Sequence, residues 1–211
     1  MSKFIFPKIT QLCETLLKEH PQIAPARKEE LKKVSTYLSE VYAKKQTPSL
    51  IVICTHNSRR SHMGQVWLAT GADFLNLPPL KTYSGGTEAT AFNPRAVKAL
   101  DDIGFEVVTD KAHAPNNPLY KLYWRYTMPP YEAFSKKYDD APNPSNKFGA
   151  IMVCSEADEG CPVILGAEFR LPLPFEDPKA FDGTDLEEAK YEERCLQIGR
   201  EMLYLLSEVK V

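Results

Sequence analysis

With 211 residues, 43% of them hydrophobic, the chain is long enough for one packed core. Its 26 Lys and Arg against 28 Asp and Glu leave a formal net charge of −2, which excludes a global basic field for nucleic acid and makes any anion site a local one. No apolar run approaches bilayer length, and the opening residues lack the basic-then-apolar order of a secretory signal, so the expectation is a cytoplasmic protein without membrane or nucleic-acid partners.

Residues 1–48 read as a helical extension. Pro21 and Pro25 separate a short helix carrying Ile9, Leu12, Leu16 and Leu17 from a longer one in which Leu31, Val34, Leu38 and Val41 recur at three and four residues. Residues 49–211 have a different grammar. "LIVI", from Leu50, is a continuous aliphatic run of the kind found in strands covered on both faces. "SHMGQVWLATG" is helix-compatible and is expected to stop at Gly71, and "LKTYSG" supplies a second strand. A helix over Asn93–Gly104 follows, with Pro94 in its first turn and Gly104 as terminator. "FEVV" and "FGAIMVCS" read as two further strands, and Leu186, Ala189, Ile198, Met202 and Leu205 form the stripe of a last helix. The alternation predicts an α/β fold, a doubly wound and mainly four-stranded parallel sheet with helices on both faces. Between them, 111–147 is rich in Pro, Asn and Tyr, too aromatic for a disordered linker. It is expected to be an ordered excursion with a hairpin around "LYKLYWRYT", either a lid or a set of packed surface aromatics.

The chemistry concentrates in "SLIVICTHNSRRSHMG", where a thiol ends a strand and an arginine follows six residues later. A strand, a tight loop and a helix direct successive backbone N–H groups inward and make a nest for an oxyanion. Thr55, His56, Asn57, Ser58, Arg59 and Ser61 are the expected substrate-binding residues. Cys54, at the base of the nest, is favoured as thiolate and nucleophile. Arg60 has the planar fork that grips two oxygens of a tetrahedral anion. Ser61 is placed to donate to the sulfur, and Asn57 to tie the loop to itself. The plainer alternative is a buried thiol at a strand end.

This stretch resembles the active-site loop of the low-molecular-weight protein tyrosine phosphatase superfamily, Cys-x5-Arg-Ser with Asn-Ser inside. The likeness continues through "YSGGTEATAFNPRAVKALDDIG" and runs from about Leu50 to the C-terminus, with 111–147 as an insertion. His56 and Arg59 depart from the commoner small residues of that loop. The resemblance implies the phosphatase fold and casts Asp177, followed by Pro178, as the general acid. An ordinary Asp-Pro turn is the alternative.

"VCSEADEGCPV" resembles the redox segment of the thioredoxin-coupled arsenate reductases, which share that fold. It implies a relay in which Cys54 binds arsenic, Cys154 displaces it as a disulfide, and Cys161 carries the oxidation outward to thioredoxin. The chemistry calls for no cofactor. Nor does Cys-x6-Cys without a neighbouring His or Cys pair supply the four ligands of zinc. Gln65 stands where some of these reductases have an acid, which argues against a monovalent cation there. Three readings are therefore carried forward: an arsenate reductase, a phosphatase of phosphotyrosine or aryl phosphates using Cys54, Arg60 and Asp177 alone, and an oxyanion or redox sensor whose extension binds a partner.

Overall fold

A computed structural model describes residues 4–110, 112, 114–127, 129–160 and 163–211. The N-terminal helices are α1 (Pro7–Lys18) and α2 (Pro25–Ala43), each opening on a proline whose missing N–H is no loss at a first helical position. Both pack on the last helix, and Ile9, Leu16, Leu31, Val34 and Leu38 enter the same buried core as the central strand. The segment ahead of α1 is also tied down: Phe6 N–H donates to Trp124 O and Tyr126 N–H to Phe4 O, each at 2.8 Å.

β1 (Ser49–Cys54) is buried at all six positions, as its unbroken apolar run requires. It is followed by α3 (Arg60–Phe74), β2 (Lys81–Gly86) and α4 (Pro94–Ile103). α4 is capped by the Asn93 side chain, which accepts from Arg95 N–H, and stopped by Gly104 at φ +118°. α3 runs past Gly71. That glycine ends nothing; a Cβ there would stand 2.8 Å from Leu206 Cδ1, so its role is to admit the last helix closely.

Two differences from the sequence reading concern strands. The "FEVV" strand, β3 (Glu106–Asp110), does not join the parallel sheet but pairs antiparallel with β4 (Leu119–Tyr123), which pairs with β5 (Tyr131–Ala133). The expected hairpin therefore exists as β4–β5, with Tyr120, Leu122 and Trp124 buried. The parallel sheet is completed by β6 (Phe148–Met152), the short α5 (Ser155–Gly160) and an unanticipated edge strand, β7 (Ala167–Pro172), before α6 (Glu187–Ser207) closes the chain. β7 is only partly buried, so it lacked the apolar run that marks β1 and β6.

Strand order in the parallel sheet is β2-β1-β6-β7. The chain leaves β1 for one neighbour and later returns to its other side. That reversal opens a crevice beyond the carboxyl ends of β1 and β6, the place where open α/β sheets bind ligands. Cys54 is the last residue of β1, and Cys154 lies two residues beyond β6. The described residues hold no helix long and apolar enough to cross a membrane.

Candidate active site

The loop from Cys54 to Arg59 is explained by where its carbonyls go. Thr87 N–H donates to Cys54 O at 3.1 Å, Glu88 N–H to Thr55 O at 2.8 Å, Asn93 N–H to Ser58 O at 2.8 Å and Met63 N–H to Arg59 O at 3.1 Å. His56 O accepts from Thr90 Oγ1 at 3.1 Å and Ser135 Oγ at 3.0 Å, and Asn57 O lies 2.9 Å from His62 Nε2. Every carbonyl of the loop is thus held by the surrounding scaffold. Among the described residues no backbone N–H from Thr55 to Arg59 has an acceptor. Outward carbonyls and unspent amides are the signature of an anion nest.

Inside the loop, Asn57 is fully buried with φ +44°, a left-handed conformation that asparagine tolerates better than most side chains. Its Nδ2 donates to Ser61 Oγ at 2.9 Å, and that oxygen lies 3.1 Å from Cys54 Sγ. With one lone pair accepting from Asn57, the Ser61 hydroxyl can donate its proton to a Cys54 thiolate. His62 is also fully buried, stacked on Phe92 with ring centroids 4.0 Å apart. Burial, with the Lys136 charge nearby, holds its pKa well below the ordinary imidazole value. The neutral ring therefore donates from Nε2 to Asn57 O and accepts at Nδ1 from Ser84 Oγ, 3.2 Å away.

Arg60, the first residue of α3, reaches across to the acid loop. Its Nη1 donates to Phe175 O and its Nη2 to Asp177 Oδ2, both at 2.7 Å. That loop is zipped to the end of β6, Leu173 N–H donating to Met152 O at 2.8 Å and Phe175 N–H to Val153 O at 3.1 Å. Asp177 also caps the 3₁₀ turn Pro178–Phe181 through Lys179 N–H. Cys54, Thr55, His56, Ser58, Arg59, Arg60 and Asp177 line one small depression.

Cys154 is fully buried, with its Sγ 3.4 Å from Thr55 Oγ1, so the second thiol touches the loop that carries the first. Burial raises its pKa, opposed by the Thr55 contact. Cys161 lies outside the described residues. Cys13 and Cys195 are buried, both pushed up to about 12 by burial, and stand in the helices as packing residues.

No family model matches the chain. Among curated proteins, the arsenate reductase of Halalkalibacterium halodurans is 28% identical over 135 residues, spanning 64% of this chain and 77% of that one. The arsenate reductase of Bacillus subtilis is 25% identical over 142 residues, 67% and 82% of the two chains. Among solved structures, a low-molecular-weight phosphotyrosine phosphatase from Vibrio cholerae superposes with TM-score 0.50 at 17% identity, covering 76% of this chain and 95% of that chain. The low-molecular-weight protein tyrosine phosphatase of T. tengcongensis gives 0.50 at 14% identity over 77% and 100% of the two chains. The chain has the fold of the low-molecular-weight protein tyrosine phosphatases. In sequence it is similar to the arsenate reductases.

The two unusual loop side chains are engaged at the rim. The exposed His56 ring lies 3.8 Å from Glu88 Oε2. Arg59 donates from Nε to Tyr191 OH at 2.8 Å and lies 3.7 Å from Asp182 Oδ2. Gln65 donates to Tyr131 OH at 3.1 Å. Residues the sequence reading did not single out include Thr90, Asn117, Ser135, Lys136, Asp182 and Tyr191. They lie far from the loop in sequence and carry no spacing signal, because their partners are mostly backbone atoms. Within the aromatic excursion, Ser135 and Lys136 grip the loop, through His56 O and Asn57 Oδ1.

Proposed function

We propose that the chain is an arsenate reductase that passes two electrons through Cys54, Cys154 and Cys161, with thioredoxin as the final reductant. The observation that carries this reading is Cys154 Sγ standing 3.4 Å from Thr55 Oγ1, inside the loop of the first thiol. Hydrolysis of a cysteinyl phosphate has no use for a second thiol there. Among the described residues no phenyl or indole ring lines the depression, which supports a small inorganic oxyanion over an aryl ester.

In the proposed cycle the nest and Arg60 hold arsenate against Cys54. The Cys54 thiolate bonds to arsenic, and an oxygen departs as water after protonation by Asp177. Cys154, as thiolate, then attacks Cys54 Sγ. The pair of electrons in the sulfur–arsenic bond stays with arsenic, which falls from the +5 to the +3 state and leaves as arsenite. A Cys54–Cys154 disulfide remains. Cys161 attacks Cys154, frees the Cys54 thiolate, and the resulting Cys154–Cys161 disulfide is reduced by thioredoxin.

A second reading, a phosphatase acting on phosphotyrosine or aryl phosphates, is favoured by Asp177 lying on the same depression as Cys54. There the acid protonates the leaving phenoxide and then activates water. The two separate in one experiment: arsenate-dependent NADPH oxidation with thioredoxin and its reductase, for the parent, Cys154→Ser and Cys161→Ser. Turnover that needs both cysteines supports the reductase. No turnover, with aryl phosphate hydrolysis surviving both substitutions, establishes the phosphatase instead.

A further inference from the structure

We infer that Ser135, clasped by Asn117, is a positioning residue for the oxyanion loop, which makes the 111–147 segment part of the site's scaffold. The inference rests on the oxyanion-site reading of Cys54–Ser61, though not on whether the anion is reduced or hydrolysed.

The clasp is reciprocal. Ser135 N–H donates to Asn117 Oδ1 at 3.0 Å, and Asn117 Nδ2 donates to Ser135 O at 2.7 Å. This orients a serine that is only 2% exposed. Its Oγ accepts from Thr90 N–H at 2.8 Å, so its own proton goes to His56 O, 3.0 Å away. The next residue continues the grip: Lys136 N–H donates to Asn57 Oδ1 at 2.9 Å. Two consecutive residues of the segment hold two consecutive residues of the loop. The segment is itself anchored on β2, Gly86 N–H donating to Lys136 O and Tyr138 N–H to Gly86 O, both at 2.9 Å.

The geometry of the peptide unit gives the clasp its effect. His56 C=O and Asn57 N–H belong to one planar trans peptide and point in opposite directions. Fixing His56 O toward Ser135 therefore turns Asn57 N–H away from the segment and keeps it out of competing bonds. The Lys136 contact does the same for the side chain. With Oδ1 occupied, Asn57 Nδ2 is aimed at Ser61, whose hydroxyl serves Cys54. Asn57 is held in the left-handed region, at φ +44°. Contacts from outside the loop are what hold it there before any anion arrives.

The test is calorimetric titration of inorganic phosphate into the parent, Ser135→Ala and Ser135→Thr, with thermal unfolding of each. Ser135→Ala is expected to weaken phosphate binding at least tenfold, and Ser135→Thr, which keeps the hydroxyl, to recover most of that loss. Asn117→Ala supplies a second route to the same loop and is expected to weaken binding about threefold or more. Either alanine variant, folded and binding phosphate within twofold of the parent, overturns the inference. A parent that binds no phosphate overturns the oxyanion-site reading itself and takes this inference with it.

Discussion

Ser61 Oγ stands 3.1 Å from Cys54 Sγ and also accepts from Asn57 Nδ2, which orients the hydroxyl to donate to a Cys54 thiolate. Ser61→Ala is expected to slow the first chemical step about tenfold, equivalent to about 1.4 kcal/mol of transition-state stabilisation. Single-turnover aryl phosphate cleavage or the rate of iodoacetamide alkylation of Cys54 checks this. An unchanged rate would show that the serine only fills space.

Arg60 joins the anion loop to the acid loop through two 2.7 Å hydrogen bonds, to Phe175 O and Asp177 Oδ2. A lysine keeps the charge but cannot span both acceptors and an anion with one fork. Arg60→Lys is expected to reduce turnover by about 10²–10³, the size of loss seen when one preorganised donor is removed from an oxyanion site. The Asp177 loop should also become more susceptible to proteolysis. Turnover within tenfold of the parent contradicts this assignment.

Gly86 ends β2 directly against the nest. A Cβ at this position would stand 2.6 Å from Thr55 O and 2.7 Å from Asn57 N, and would meet the Glu88 carbonyl. These are backbone atoms that cannot swing aside. Gly86→Ala is therefore expected to abolish measurable phosphate binding while leaving helical content in place, to be read by calorimetry and circular dichroism together. Retained binding would mean the loop is more pliant than its packing implies.

His62 predicts an acid-side loss of stability. Its folded pKa is lowered, by burial first and then by Lys136, so the folded protein keeps it neutral while an unfolded chain protonates it near the ordinary value of 6.5. Stability from this group is present above about pH 6.5 and drains away as pH falls toward the folded value. His20, also lowered by burial, acts in the same direction. The melting temperature should drop between about pH 6.5 and 5, with a shallower slope in His62→Gln. Equal slopes would remove His62 from the account.

Much of the chemistry was legible in the sequence. Apolar periodicity and proline positions marked α1, α2, β1, α4, β6 and α6, since burial against one face or two faces leaves a period in the residues themselves. Cys-x5-Arg after a buried-type strand marked the loop, because a nest needs little beyond local chain geometry. β3 was placed in the wrong sheet and β7 went unseen. A strand's partner depends on where the chain returns, and an edge strand such as β7 is buried too little to show a pattern.

What only the tertiary structure decided is the contact set that orients the site. Ser135 and Lys136 reach His56 and Asn57 across 79 residues, and Asn117 holds Ser135 in place, mainly through backbone donors and acceptors that every residue possesses. The placement of Cys154 against Thr55 likewise depends on β6 lying beside β1. Residue types declare what a group can do chemically. The direction in which a carbonyl or amide points is common property of the backbone, and only the folded neighbourhood can select it.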